Sequence, residues 1–182
     1  KNNNLNESHN ELEIDAHVWT SWVNAIEIAS KIQQRLSEIS PKNAVYFQQN
    51  LEFFKSELTE SLLWFQRDIK DKKQKEFVVF HDAYNYLFDE LSIDKNKKLV
   101  FNSNVSTQID PKQLKELIDE VKHHWVKTIF NEPQFLDPNL DKFAKDNKLN
   151  VYTLDPIWND ISSRWFLENY KNNLLNLKNI YE

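Results

Sequence analysis

The chain has 182 residues, a formal net charge of −5 and a pI near 5.6, so its charge offers no basic stripe for binding nucleic acid. The absence of cysteine excludes disulfides, thiolate zinc sites and cysteine nucleophiles. No apolar stretch approaches the roughly 18 residues that a membrane span requires. A hydrophobic fraction of 40% is sufficient for the core of one medium-sized domain.

The first half of the chain is predicted to be helical after a polar lead-in over residues 1–13. Residues 18–39 carry apolar side chains at helical spacing. Ser40-Pro41 is typical of an N-cap followed by the first residue of a new helix. Nothing interrupts the pattern from there to about Lys70. We therefore expect one long helix over 41–70, which is long enough to join two lobes.

The second half alternates apolar runs with segments of helical spacing. The runs contain three or four β-branched and aromatic residues without polar alternation, as in strands buried on both faces. Strands are predicted near 76–80, 98–101, 126–130 and 149–154, and helices near 83–91, from Asp110-Pro111, from Asp137-Pro138 and near 163–179. This alternation predicts an α/β fold with a parallel four-stranded sheet and flanking helices.

Polar side chains follow directly after three of these runs. His81, Glu132 and Asp155 each come where a strand ends, and ligands of parallel sheets bind beyond the carboxyl ends of the strands. An imidazole and two carboxylates on one edge indicate a metal site or an acid–base site. His123-His124 instead end a helix, where a cationic side chain stabilises the helix dipole, so we interpret that pair as structural.

Four ordered motifs resemble a known family, the zinc-type solute-binding proteins of bacterial metal ABC importers (cluster A-I, zinc-uptake family). They are Asp15-Ala16-His17-Val18-Trp19, Phe80-His81-Asp82-Ala83-Tyr84, Asn131-Glu132-Pro133-Gln134-Phe135 and Leu154-Asp155-Pro156. The resemblance runs from about Asp15 to the end of the chain.

The resemblance implies two α/β lobes joined by a long helix, with a metal ion held between the lobes. It assigns residues 1–40 to the lead-in and the end of an N-terminal lobe, 41–70 to the interlobe helix and 71–182 to the C-terminal lobe. The chain begins with Lys1 rather than Met, so we expect a fragment or processed form whose missing part supplies a further ligand histidine. Members are exported, which implies a periplasmic or extracellular, membrane-anchored protein, with any lipid anchor outside this chain.

By the same resemblance, His17, His81 and Asp155 are the expected metal ligands, although a water molecule can replace Asp155 in a three-ligand zinc site. Glu132 is expected to hold loop amides or to orient a ligand imidazole rather than to bind metal. Asp82 is a comparable candidate, with a hydrogen bond to its loop as the alternative. Without the motif, the ordinary interpretation of His81 is a histidine at the end of a strand that forms a hydrogen bond to a loop.

The expected function is capture of Zn²⁺ and delivery to the permease of an ABC importer. A manganese- or iron-type binding protein and a surface adhesin on the same fold are alternatives, although His81 favours zinc because manganese-type relatives tend to carry a carboxylate there. A zinc hydrolase is less consistent, since the chain has neither His-Glu-x-x-His nor a glycine-rich phosphate loop. The ion is expected as transported cargo, so no enzyme is predicted.

The chain also has no glycine, although ordinary usage of about 7% gives roughly 13 in this length. Asn85 and Ser92 occupy positions where a turn or a helix end often uses glycine. Trp125 and Trp158 stand where relatives usually carry glycine, and we expect positive φ at Trp125. We interpret these tryptophans as candidates for UGA codons that the source organism reads as glycine.

Overall fold

The computed structural model describes residues 15–102, 109–135, 138–156 and 165–182. The lead-in of residues 1–13, Asp137 and Trp158 lie outside this part of the chain. The described residues form a parallel sheet of four strands in the order β2-β1-β3-β4, which confirms the predicted fold class. The strands are β1 (Phe77–Val79), β2 (Lys98–Val100), β3 (Thr128–Asn131) and β4 (Asn150–Thr153).

Helices connect the strands and precede the sheet. They are α1 (Trp22–Ile39), α2 (Ala44–Ile69), α3 (Asn85–Glu90), α4 (Pro111–His123), α5 (Pro138–Asp146) and α6 (Trp165–Leu177), with short 3-10 turns at Val18–Thr20, Pro41–Asn43, Lys95–Lys97 and Lys178–Tyr181. The predicted long helix is therefore present as α2. Ser40 makes no side-chain capping bond and begins a 3-10 turn instead of the helix itself. Asp110 caps α4 as predicted, because its carboxylate accepts from the Lys112 amide at 2.7 Å.

Both faces of the sheet are covered, as a parallel sheet requires. Alternate residues of a strand point to opposite faces, so Phe77 and Val79 pack with α2, α3 and α6 while Val78 packs with α4 and α5. The central strands β1 and β3 are almost fully buried. β2 is only half-buried and Val151 of β4 is 43% exposed, so the prediction of burial on both faces is wrong for these two strands. They form the margins of the sheet, where one neighbour is missing.

The helix pair α1–α2 leaves much apolar surface in solvent. Ala25 is the one buried residue of α1. Ile39 and Val45, near the turn that joins the two helices, are 67% and 71% exposed. The start of α1 is fixed by Glu90 of α3, whose carboxylate accepts from the Ser21 hydroxyl and from the Trp22 amide. Among the described residues, no helix is long and apolar enough to cross a membrane.

Three helices end on a left-handed residue that is not glycine. Ser92, Trp125 and Lys148 have φ of 56°, 55° and 56°. In each case the next amide reaches back five residues, as in Val126 N to Val121 O at 3.0 Å, which is the Schellman arrangement. The expectation for Ser92 and Trp125 is confirmed. Asn85 instead begins α3 and is not among the described residues with positive φ.

Candidate metal site

The ring nitrogens of two histidines meet at the carboxyl edge of the sheet. His81 follows β1, and His17 lies just before the turn that leads into α1. Their Nε2 atoms are 3.3 Å apart and their ring centroids 5.2 Å apart. The fold thus brings together two histidines that are 64 positions apart in the sequence.

A carboxylate lies against the other ring nitrogen of each histidine. Asp15 Oδ1 is 2.8 Å from His17 Nδ1 and also accepts from the His17 amide at 3.0 Å. A carboxylate can only accept, so this bond places the proton of neutral His17 on Nδ1 and leaves a lone pair on Nε2. Burial raises the pKa of Asp15, but the hydrogen bonds from His17 and Asn85 outweigh it and hold that pKa below its ordinary value.

Glu132 has the equivalent place beside His81. Its Oε1 is 2.5 Å from His81 Nδ1, and its side chain is 1% exposed. The contact is an ion-pair approach outside hydrogen-bond angles, and within the described ranges neither oxygen of Glu132 has a hydrogen-bond partner. A buried carboxylate without donors is costly unless a positive charge lies nearby. The carboxylate of Glu132 therefore favours a metal ion on the far side of the His81 ring.

The predicted ligand Asp155 lies on the same rim, but it is engaged by neighbours. Its Oδ1 accepts from Gln134 Nε2 at 2.6 Å. Asn173 of α6 holds its backbone from both sides, accepting from its amide at 2.9 Å and donating to its carbonyl at 3.0 Å. Burial raises the pKa of Tyr84 well above its ordinary value, and the nearby carboxylates of Glu132 and Asp155 raise it further.

Two of the expected ligands, His17 and His81, lie together in the described structure, and the third, Asp155, is engaged by Gln134. In the ranges that the structure covers, no three histidine, aspartate or glutamate side chains form a group that could hold a metal ion. Asp82 turns to Lys98, with which it forms an ion pair. The carboxylate of Asp82 thus connects the loop after β1 to the first residue of β2.

Sequence reasoning missed two residues that fix the geometry. Asp15 belongs to the first motif, and its position two residues before His17 was the only available signal for its role. Asn173 lies among other polar residues of α6 and has no signal of its own in the sequence. Its contact with Asp155 spans 18 residues and depends on the packing of α6 against the end of β4.

Comparison with solved structures defines the class of protein. The fold matches the laminin-binding protein Lmb of Streptococcus agalactiae, described as bifunctional with adhesin and metal-transporting activity, with a TM-score of 0.77, 29% identity and coverage of 92% of this chain and 65% of that one. It also matches a Zn(II)-bound variant of AdcAII from Streptococcus pneumoniae, with a TM-score of 0.75, 28% identity and coverage of 92% and 61%. The fold is that of the metal-binding solute-binding proteins.

Sequence comparison identifies the family. Residues 1–180 match the family described as zinc-uptake complex component A, periplasmic, and the chain belongs to it. The high-affinity zinc uptake system protein ZnuA of Haemophilus influenzae is 31% identical over 154 residues, which are 85% of this chain and 45% of that protein. The ZnuA protein of Yersinia pestis is 28% identical, covering 98% of this chain and 55% of that protein. The chain thus spans about half the length of these curated relatives.

Proposed function

We propose that this chain binds Zn²⁺ through His17 and His81 and takes part in its delivery to an ABC importer. The observation that carries the proposal is the 3.3 Å separation of the two Nε2 atoms. Two nitrogens bound to one tetrahedral zinc ion at about 2.0–2.1 Å each lie about 3.3–3.4 Å apart. Without an ion or a shared proton, two lone pairs at this distance repel each other.

The surrounding charges support the same conclusion. Each imidazole has a carboxylate at Nδ1, an arrangement that orients metal-binding histidines and makes them more basic ligands. Imidazole nitrogens favour zinc over manganese, which prefers oxygen ligands. Asp155 completes the site if its carboxylate leaves Gln134, and a water molecule can complete it otherwise.

The proposed setting is outside the cytoplasm, either in the periplasm or on the surface with a lipid anchor. The family description supports the first, and similarity to the zinc-binding lipoprotein AdcA of Streptococcus pneumoniae supports the second. The proposed partner is the permease of a zinc importer, because the relatives are named as components of zinc uptake systems. A second role as an adhesin is supported by the similarity to Lmb.

Calorimetry tests zinc binding directly. We expect one zinc ion per chain, weaker binding of manganese, and modest affinity compared with a full-length relative, because only two imidazoles meet in the described part of the site. Equal affinity in both proteins would show that the remaining length of the relatives contributes nothing. Zinc-dependent steady hydrolysis of an ester or peptide would instead favour an enzyme.

A further inference from the structure

Trp19 joins the segment that carries His17 to the loop that carries Asp155. Its indole Nε1 donates to the carbonyl of Pro156 at 2.7 Å, across 137 positions of sequence. The same indole makes an edge contact with the His17 ring, with centroids 5.7 Å apart. The Trp19 side chain therefore contacts the expected ligand His17 and also Pro156, which follows the expected ligand Asp155.

The other attachments of segment 15–20 go in a different direction. Tyr86 donates its hydroxyl to the Asp15 carbonyl at 3.0 Å. The Thr20 hydroxyl lies 2.8 Å from the His17 carbonyl, within the segment, and 3.3 Å from the Ala83 carbonyl. Tyr86 and Ala83 both belong to the stretch that follows His81. The Trp19 bond instead connects this segment to Pro156, which lies just beyond the end of β4.

The acceptor of this bond is itself fixed. Asn173 holds both the amide and the carbonyl of Asp155, so the carbonyl of Pro156 follows a clamped residue. Because Asp155 is held from α6, the Trp19 bond connects the segment of His17 to a fixed point. It keeps the His17 ring on the rim, facing His81.

We propose that Trp19 is a positioning residue that holds His17 at the metal edge and slows release of the bound ion. This inference rests on the proposed zinc function, because release is defined only for a bound ion. Loss of the indole N–H should let segment 15–20 separate from the loop more often. We expect zinc to dissociate about three- to tenfold faster, which is the factor that one hydrogen bond supplies.

Trp19→Phe tests the proposal, because phenylalanine keeps an aromatic ring beside His17 and removes only the donor. Trp22→Phe is a matched control, since the indole Nε1 of Trp22 is buried and has no partner in the described structure. The zinc dissociation rate is measured by mixing each loaded protein with a chelator. A faster rate for Trp19→Phe alone supports the proposal, and a wild-type rate or an equal change in both variants overturns it.

A second measurement separates this inference from the proposed function. Hydrogen exchange of the Trp19 indole N–H, followed by NMR in the zinc-free wild type, reports the bond to Pro156 without any metal. Slow exchange supports the bond from Trp19 to Pro156 and rapid exchange argues against it. This result does not depend on whether a variant folds. A wild type that binds no zinc would overturn the proposed function and the release role together, while the exchange rate would still decide whether that bond exists.

Discussion

The two edges of the sheet have opposite chemistry. The described segments that follow the strands (80–84, 101–102, 109–110, 132–135 and 154–156) contain four carboxylates and no lysine or arginine. The segments that precede the strands (70–76, 94–97, 124–127 and 147–149) contain eight lysines and three carboxylates. A cation is therefore attracted to the carboxyl edge and repelled from the amino edge.

The amino edge also carries a large cavity. The amino edge has an open cavity of about 610 Å³, lined among others by Lys75, Lys97 and Lys127. At the carboxyl edge, the candidate metal site is indicated by its donor atoms, which are the paired Nε2 atoms of His17 and His81 and the carboxylates at their Nδ1 atoms.

The largest expected effect is a difference in zinc binding between variants of two histidines, one at each edge of the sheet. His81→Ala should weaken zinc binding by at least about 100-fold, since loss of a residue that only supports a ligand costs about 10–100-fold. His124→Ala should change it little, because Glu76 lies 2.8 Å from its Nδ1 and Glu120 lies 3.2 Å from its Nε2, so neither nitrogen faces an ion. Calorimetry on both variants checks this. Comparable losses would refute the assignment of the site.

Glu132→Gln should weaken zinc binding by about 10–100-fold, because a neutral amide supports a metal-bound His81 less well than the carboxylate does. Thermal unfolding reports any separate effect on stability, since the variant also removes the charged neighbour of His81 Nδ1. Asp82→Asn is the control, because Asp82 pairs with Lys98. Zinc titration and thermal unfolding of both variants separate binding from stability. Normal zinc affinity in Glu132→Gln would show that this carboxylate does not support the ligand.

At the amino edge, Trp125→Gly should stabilise the fold by roughly 1–2 kcal/mol without changing zinc binding. Glycine adopts the left-handed conformation without the steric cost that other residues bear. Trp125 is 79% exposed, so little apolar burial is lost. Lys122→Gly, inside α4, is the control and should destabilise the protein by about 1 kcal/mol. Urea unfolding measures both changes.

The same position tests the codon interpretation. The mass of the native protein should show glycine at position 125 if the source organism reads UGA as glycine. A UGG codon or an intact tryptophan mass would end that idea and would leave the prediction for Trp125→Gly in place.

The smallest expected effect is a pH dependence of folding stability that comes from Glu90 rather than from either edge of the sheet. Burial raises the pKa of Glu90, against the hydrogen bonds from Ser21 and Trp22 that lower it. The folded state then binds a proton more readily than the unfolded state, so the contribution of Glu90 to stability falls as pH rises from about 4.5 through its raised folded pKa. Glu90→Gln should flatten this part of the curve without changing zinc binding, whereas the exposed Glu38→Gln should not. An unchanged slope in Glu90→Gln would contradict the prediction.

Much of the fold, and the edge of the sheet at which the candidate site lies, could be predicted from the sequence. Apolar runs that end in His81, Glu132 and Asp155 fix both the parallel sheet and the edge at which these residues gather, because the pattern is local. The burial of β2 and β4 could not be predicted this way, since the order of strands depends on contacts between distant segments. The same holds for Asn173 and for the bond of Trp19 to Pro156, which no local pattern encodes.

The apolar surface of the α1–α2 pair has a consequence for handling the protein in solution. Residues such as Ile39 and Val45 stay in water in the folded state, so the native chain should bind a hydrophobic dye before any unfolding. Sulfate strengthens the burial of such surface, so this chain should precipitate at lower sulfate concentration than an Ile39→Lys, Val45→Lys variant. Purification on a hydrophobic resin should retain the wild type longer for the same reason.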